Sequence, residues 1–265
     1  MGDMGVAVVV EDDLDVRNLV EGVFLQSGFV VHTAVDGREG VEVVREMRPD
    51  VVTLDVGLPD IDGFEVLRRI RLFSSAYVVM LTGRTEEPDL LAALQGGADD
   101  YITKPFRPRE MRARVAAMMR RPRAPGPGHN DTPLALPPAP LAVTGSPLLG
   151  PDGLMLDPRT RIVTLGGAPL ELTRTEFDLL HELLRASGAV LSKAELVRAV
   201  RGENYPKDAY ISDSDERAVE VHIANLRRKL GDDAESPGCL QTVRGAGYRL
   251  AARRPPAGST SHRRV

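Results

Sequence analysis

The sequence predicts an α/β domain with a doubly wound, five-stranded parallel sheet, followed by a smaller α+β domain. Three observations carry this. Five short apolar runs alternate with five helical patterns over the first 121 residues. A Pro- and Gly-rich stretch then interrupts all periodicity. Beyond it, alternating runs with Gly-Gly and Gly-Ala-Gly turns flank helices that open on capping boxes.

The expected strands of the first domain are Val6–Val10, Phe29–Thr33, Val51–Asp55, Tyr77–Thr82 and Asp100–Thr103. Helices are expected near Leu14–Ser27, Arg38–Arg48, Gly63–Leu72, Glu86–Gly96 and Pro108–Arg120, with Gly28 and Gly97 at helix C-termini. The expected division is 1–121 for the first domain, 122–149 for a linker, 150–253 for the second domain and 254–265 for a disordered basic tail.

Composition narrows the function classes. Of 265 residues, 42% are hydrophobic and 27% charged, as in water-soluble globular chains. No apolar run approaches the ~18 residues of a membrane span. The N-terminal segment is not basic, so no signal peptide is expected. Cys239 stands alone, which excludes a disulfide framework or a cysteine metal site. A cytoplasmic location is therefore expected. No P-loop or zinc-type cluster occurs. The net charge of −4 divides into −6 over residues 1–121 and +2 over the remainder, which suggests separate tasks.

In open α/β sheets, ligands bind outside the carboxyl ends of the strands. The first strand delivers Glu11, Asp12 and Asp13 there, the third Asp55, the fourth Thr82 and the fifth Lys104. Singly, each has a plain explanation: a helix cap, a solvated turn, a strand end, a loop lysine. Jointly they describe a crevice that attracts a hard divalent cation, magnesium above all. One carboxylate could attack phosphorus to form an acyl phosphate, with Lys104 and Thr82 stabilising the phosphoryl oxygens. On this reading the strand mouth exposes the Asp55 carboxylate to metal and donor.

The stretches VVVEDD, TLDVGLPDIDG, VVMLTGR and GADDYITKPF together resemble the receiver domain of bacterial two-component response regulators, a flavodoxin-like fold. The resemblance implies that Asp55 accepts a phosphoryl group from a sensor histidine kinase. It implies Mg2+ on Asp12, Asp55 and the Gly57 carbonyl, with Glu11 in the acidic pair. Thr82 and Tyr101 would be switch residues and Lys104 the phosphate partner.

In the second domain, Gly153 to Thr173 reads as short antiparallel strands turning at Gly166-Gly167. Thr173–Glu176 and Ser192–Glu195 match capping boxes, opening helices that bury Phe177, Leu180 and Leu184, and Leu196 and Val200. A third helix, about Asp215 to Leu230, buries Val219, Ile223, Leu226 and Leu230. Its opposite face carries Arg217, Val221, Asn225 and Arg228, flanked by His222, Arg227 and Lys229. That face is either solvated or a major-groove reader. A hairpin around Gly245-Ala-Gly247 with Arg244 beside it adds a minor-groove contact and favours the second.

The stretches LTRTEFDLL, ERAVEVHIANLRRKLG and TVRGAGYRL resemble the winged helix-turn-helix effector domain of the OmpR/PhoB subfamily. That implies DNA contacts by Arg217, His222, Arg227 and Arg244. Ala224 and Asn225 depart from the family pattern, where basic residues are common; Asn225 could instead pair with adenine. Residues 201–215 match the loop that can face RNA polymerase.

The chain is thus expected to be a transcriptional regulator rather than an enzyme, binding tandem half-sites as a homodimer. The rival, an aspartate-nucleophile phosphatase, typically places a second acid two residues after the nucleophile; Gly57 stands there. A receiver whose output binds only protein is the third reading. Active receivers of the subfamily pair through the fourth helix, fifth strand and fifth helix with basic–acidic contacts. Here Leu90 and Ala116 stand where charge is common and Glu110 is left without its expected partner, while Asp99, Asp100 and Arg114 remain. An apolar patch around Leu90 is the expected compensation, unless Leu90 packs inward.

Overall fold

A computed structural model of the chain describes residues 5–83, 87–119, 147–201, 211–232 and 239–251. β1 (Val6–Val10), β2 (Val30–Ala34), β3 (Val51–Asp55), β4 (Tyr77–Thr82) and β5 (Asp100–Thr103) form one parallel sheet in the order β2-β1-β3-β4-β5. α1 (Leu14–Gln26), α2 (Gly37–Met47), α3 (Gly63–Arg71), α4 (Glu87–Gln95) and α5 (Pro108–Met119) cover its two faces. β2 starts one residue later than the sequence suggests. Gly28 takes the left-handed conformation (φ 87°) and Phe29 N–H donates to Phe24 O, so Phe29 ends the α1 turn instead of opening a strand. Its ring packs edge-on against Phe24.

Alternation along the strands builds a core on each face. Ala7, Val9, Val79 and Leu81 pack with Val20, Phe24, Met111 and Val115 on one side. Val8, Val10, Val52, Leu54 and Met80 pack with Val41, Val66, Leu67 and Ile70 on the other. Strand order reverses between β1 and β3, and the crevice at such a switch point is where a ligand is received.

The second domain opens with β6 (Leu148–Leu149), β7 (Met155–Asp157), β8 (Ile162–Leu165) and β9 (Ala168–Pro169), antiparallel in chain order. β6 falls within the expected 122–149 linker. It is ordered because it pairs with β7 and Leu148 packs on the domain's core. α6 (Arg174–Arg185) and α7 (Lys193–Arg201) begin where their capping boxes stand. α8 (Asp213–Leu230) begins two residues before the expected start, on a third capping box, Ser212 with Asp215. β10 (Leu240–Val243) and β11 (Gly247–Leu250) form the terminal hairpin. The expected tail, 254–265, lies outside the described residues. Among the described residues, no helix is long and apolar enough to cross a membrane.

Candidate functional site

The β3 terminus is placed by a tight approach. Gly63, the first residue of α3, lies so close beneath the strand end that a Cβ there would sit 2.2 Å from Asp55 O and 2.8 Å from Val56 Cα. Asp60 accepts hydrogen bonds from Gly37 and Arg38 N–H, and Asp62 caps α3. Asp13 caps α1 through Asp15 and Val16 N–H, which hold its carboxyl below the usual range. These three acids are accounted for locally. Glu11, Asp12 and Asp55 are the ones left to converge, with an oxygen from each within 4.8 Å of the others.

Lys104 closes the group. Its Nζ lies 2.7 Å from Asp55 Oδ1 and 2.8 Å from Glu11. Its backbone N–H donates to Thr82 O at 2.7 Å, which fixes the ammonium's base beside the end of β4. Gly57 N–H donates to Asp55 Oδ2 at 3.0 Å. Burial raises the Glu11 carboxyl above the carboxylate range, although the Lys104 hydrogen bond opposes it. Burial alone would lower Lys104, but the bonds to Asp55 and Glu11 overcome this and raise it. Asp55 is only 6% exposed, which corrects the expected open carboxylate: the apolar strand and the Lys104 stem enclose it, leaving Asp12 as the exposed acid. A carboxylate-rich donor set this compact suits a hard cation.

The second candidate surface is covered. His222 and Asn225, expected on an open DNA-facing helix, are 2% and 3% exposed because α8 lies against the receiver-like domain. Asn225 Nδ2 donates to Leu94 O at 2.9 Å, at the C-terminal end of α4. His222 Nε2 lies 3.1 Å from Asp99 O. Thr175 N–H, in the first turn of α6, donates to Asp99 Oδ1 at 3.0 Å, and its hydroxyl to Asp99 O. Arg71 Nη2 and Val78 N–H hold the other Asp99 oxygen. Tyr101, half-buried, shares a hydrogen bond with the Ser214 side chain, and burial raises its hydroxyl.

The remaining expected residues sort by place. Arg217, Arg228 and Arg244 are exposed. Arg227 instead braces α8 to the hairpin, donating to Leu240 O and Thr242 Oγ1. Arg114 Nη1 lies 2.8 Å from both Asp100 carboxylate oxygens, within one domain. Glu110, whose expected partner across the dimer is missing, bonds Arg114 within the chain at 3.1 Å, since the two stand four apart on α5. Leu90 lies in α4, but its side chain falls outside the described residues, as does most of 201–215. Sequence reasoning missed Thr175, Arg71 and the junction role of Asp99. The departure at Asn225 was a signal for the covered surface: a neutral amide can sit on a helix-end carbonyl without burying a charge.

Comparisons with known proteins agree with both halves. Residues 7–116 match the family described as response regulator receiver domain, and residues 167–250 match that described as transcriptional regulatory protein, C terminal. The transcriptional regulatory protein AfsQ1 of Streptomyces coelicolor is 38% identical over 92% of this chain and 96% of its own length. The DNA-binding response regulator MtrA of Mycobacterium tuberculosis is 36% identical over 91% of this chain and 95% of its own. A solved RitR mutant shares the fold, with TM-score 0.65 at 21% identity, covering 95% of this chain and all of that one.

Proposed function

Because this chain belongs to the two-component response regulators that join a receiver to a DNA-binding domain, we propose that Asp55 is its phosphoacceptor and that phosphorylation releases α8 from the receiver. The observation that supports this most is the placement of the Lys104 ammonium 2.7 Å from an Asp55 oxygen at the sheet's switch point. An Asp55 oxygen attacks the phosphorus carried by a sensor kinase's histidine, and the histidine leaves. Asp12, Asp55 and the Gly57 carbonyl would hold Mg2+, with Glu11 completing the acidic pair beside it, and the metal's charge would offset that of the phosphoryl oxygens. Lys104 then moves from the bare carboxylate to a phosphoryl oxygen, and the Thr82 hydroxyl donates to another.

The consequence reaches the DNA reader through Tyr101. As Thr82 moves toward the phosphoryl group, Tyr101 turns inward and leaves Ser214. With it go the Asp99–Thr175, Asp99–His222 and Leu94–Asn225 contacts. Opening uncovers two surfaces at once: α8 for a major groove, and the α4–β5–α5 face for a second copy. The regulator would then bind tandem half-sites about one helical turn apart as a homodimer, in the cytoplasm, with 201–215 available to RNA polymerase. The phosphatase reading gains no support: Gly57 offers no acid, and the C-terminal domain is a DNA-binding one.

The test is labelling by acetyl phosphate with Mg2+, read beside promoter footprinting. Wild type should label once and gain a footprint; Asp55→Asn should lose both while remaining folded. Label retained on Asp12 or Asp13 in that variant would overturn the assignment.

A further inference from the structure

His222 is a titratable ring on the DNA-reading helix that the closed molecule buries between its domains. Its Nε2 meets Asp99 O, and a small cavity beside it is lined from both domains. Charged groups face the ring from every side, and the acids among them are committed elsewhere. On the receiver, Asp99 is held by Arg71 and Asp100 by Arg114. On α6, Glu176 is held by Lys229. On α7 and α8, Arg201 pairs with Asp215. A cation placed here would lose water without gaining a carboxylate of its own.

We propose that His222 is an acid-sensitive latch: protonating its imidazole drives the domains apart, and the charged ring then faces the phosphates of DNA. This rests on the reading that the closed arrangement is the inactive one, but it needs no phosphoryl group. Burial holds the ring below its ordinary 6.5, and the surrounding carboxylates only partly offset that. The closed form therefore binds fewer protons than the open form. Its advantage is complete above pH 6.5 and is lost as pH falls below, by up to about tenfold per unit. Mild acid would act in the same direction as phosphorylation.

The test uses the full chain with dyes on two exposed positions, Glu46→Cys and Arg159→Cys, one in each domain; buried Cys239, its thiol pushed up to about 12, stays unlabelled. Energy transfer is followed from pH 8 to 5.5 without phosphate donor. The open fraction should rise by up to about fivefold between pH 6.5 and 5.5. His222→Gln keeps an N–H donor for Asp99 O but cannot titrate, so its transfer should stay flat. An equal pH response in that variant, or none in wild type, overturns the latch. If the variant proves open throughout, the wild-type ring decides: its NMR titration must share a midpoint with the opening, and a ring that titrates without opening refutes the proposal. The parent reading fails separately, if the phosphorylated chain at pH 7.5 binds its promoter while the dyes remain close.

Discussion

The crevice at β1 and β3 and the face at α4 and β5 lie on one domain, yet they are built on opposite logic. The crevice gathers like charges and neutralises them with a single lysine from another strand end, so it is compact and strained toward a cation. The α4–β5 face presents ordinary helix-end and loop carbonyls and one carboxylate, and satisfies them with donors from the other domain. The first is a site whose contents are spring-loaded by electrostatics. The second is a set of hydrogen bonds, two to backbone carbonyls and one to the Asp99 carboxylate, worth about 1 kcal/mol each for the neutral ones and about 1.5–3 kcal/mol for the charged one, which a modest change can trade for other partners. A phosphoryl group at the first is well suited to tip the second, since a shift of ~3 kcal/mol changes an equilibrium more than a hundredfold.

The sharpest way to break the comparison is to damage the rigid site through its backbone. Gly63→Ala would drive a methyl into Asp55 O and Val56 Cα, where no flexible side chain can yield. Overpacking of this kind costs about 3 kcal/mol. A fall in Tm of the receiver transition, with loss of phosphorylation, is expected. The parallel change in the other domain is Gly247→Ala: the glycine sits at φ 142° with its Cβ position 1.9 Å from Leu191 O, so the hairpin should loosen and DNA binding fall while labelling of Asp55 persists. Both variants losing both activities would show that the domains fold as one unit.

Lys104→Met tests the electrostatic account next. It leaves Glu11 and Asp55 together without their ammonium, which should lower stability by about 1–3 kcal/mol. Because burial already raises Glu11 in wild type, the variant should take up a proton there at still higher pH, so its thermal stability should improve on acidification by more, and from a higher pH, than that of wild type. The measurement is Tm against pH for the two proteins. Parallel curves would mean the crevice is solvated enough for the lysine to matter little.

Those two sites also differed in how far the sequence reveals them. Each crevice residue ends a strand, and a strand's end is a local property: Val51–Asp55 followed by Gly57 and Pro59 announces it within nine residues. Helix starts were equally local, because a capping box occupies four residues. The covered face joins residues 76, 123 and 131 apart in the chain, and no periodicity encodes such a pairing. The helical stripe Val219, Ile223, Leu226 and Leu230 identified the core side of α8. It said nothing about what lies on the other side, so Val221, His222 and Asn225 read as open to solvent while the molecule buries them. Asp99 was noticed as an acid near a dimer face. Only the three-dimensional arrangement makes it the shared acceptor of α6 and α8.

A smaller effect separates the two roles assigned to α8. Asn225→Ala removes the bond to Leu94 O, which should ease opening about fivefold, from ~1 kcal/mol. The same change should relax preference at one A·T pair by ~1–3 kcal/mol if the amide reads adenine. Arg244→Ala touches neither the receiver nor the closed contacts, so it should weaken DNA binding without changing the open fraction. Titrating both variants on promoter and random duplexes checks this. Equal losses for Asn225→Ala on every sequence would leave it a latch residue only.

The smallest expected effect concerns the dimer. In the closed molecule Asp100 and Arg114 satisfy each other, and Arg114 also holds Glu110, so these three charges of β5 and α5 are already engaged within one chain. The α4 sequence EEPDLLAALQ offers no cation to compensate. Exposed ion pairs contribute ~0–1 kcal/mol each and weaken with salt, whereas a buried Leu contributes ~1.5–3 kcal/mol and does not. A dimer held mainly by Leu90 and its neighbours should therefore keep its dissociation constant within about threefold between low and high salt, while Leu90→Lys should weaken it tenfold or more. The phosphorylated chain, measured by sedimentation at two salt concentrations, decides the matter. A dissociation constant that climbs steeply with salt would return the interface to Asp100 and Arg114. It would also mean that the pair must exchange its partner within the chain for one across the dimer, so that the α4–β5 face would trade ionic as well as neutral contacts on activation.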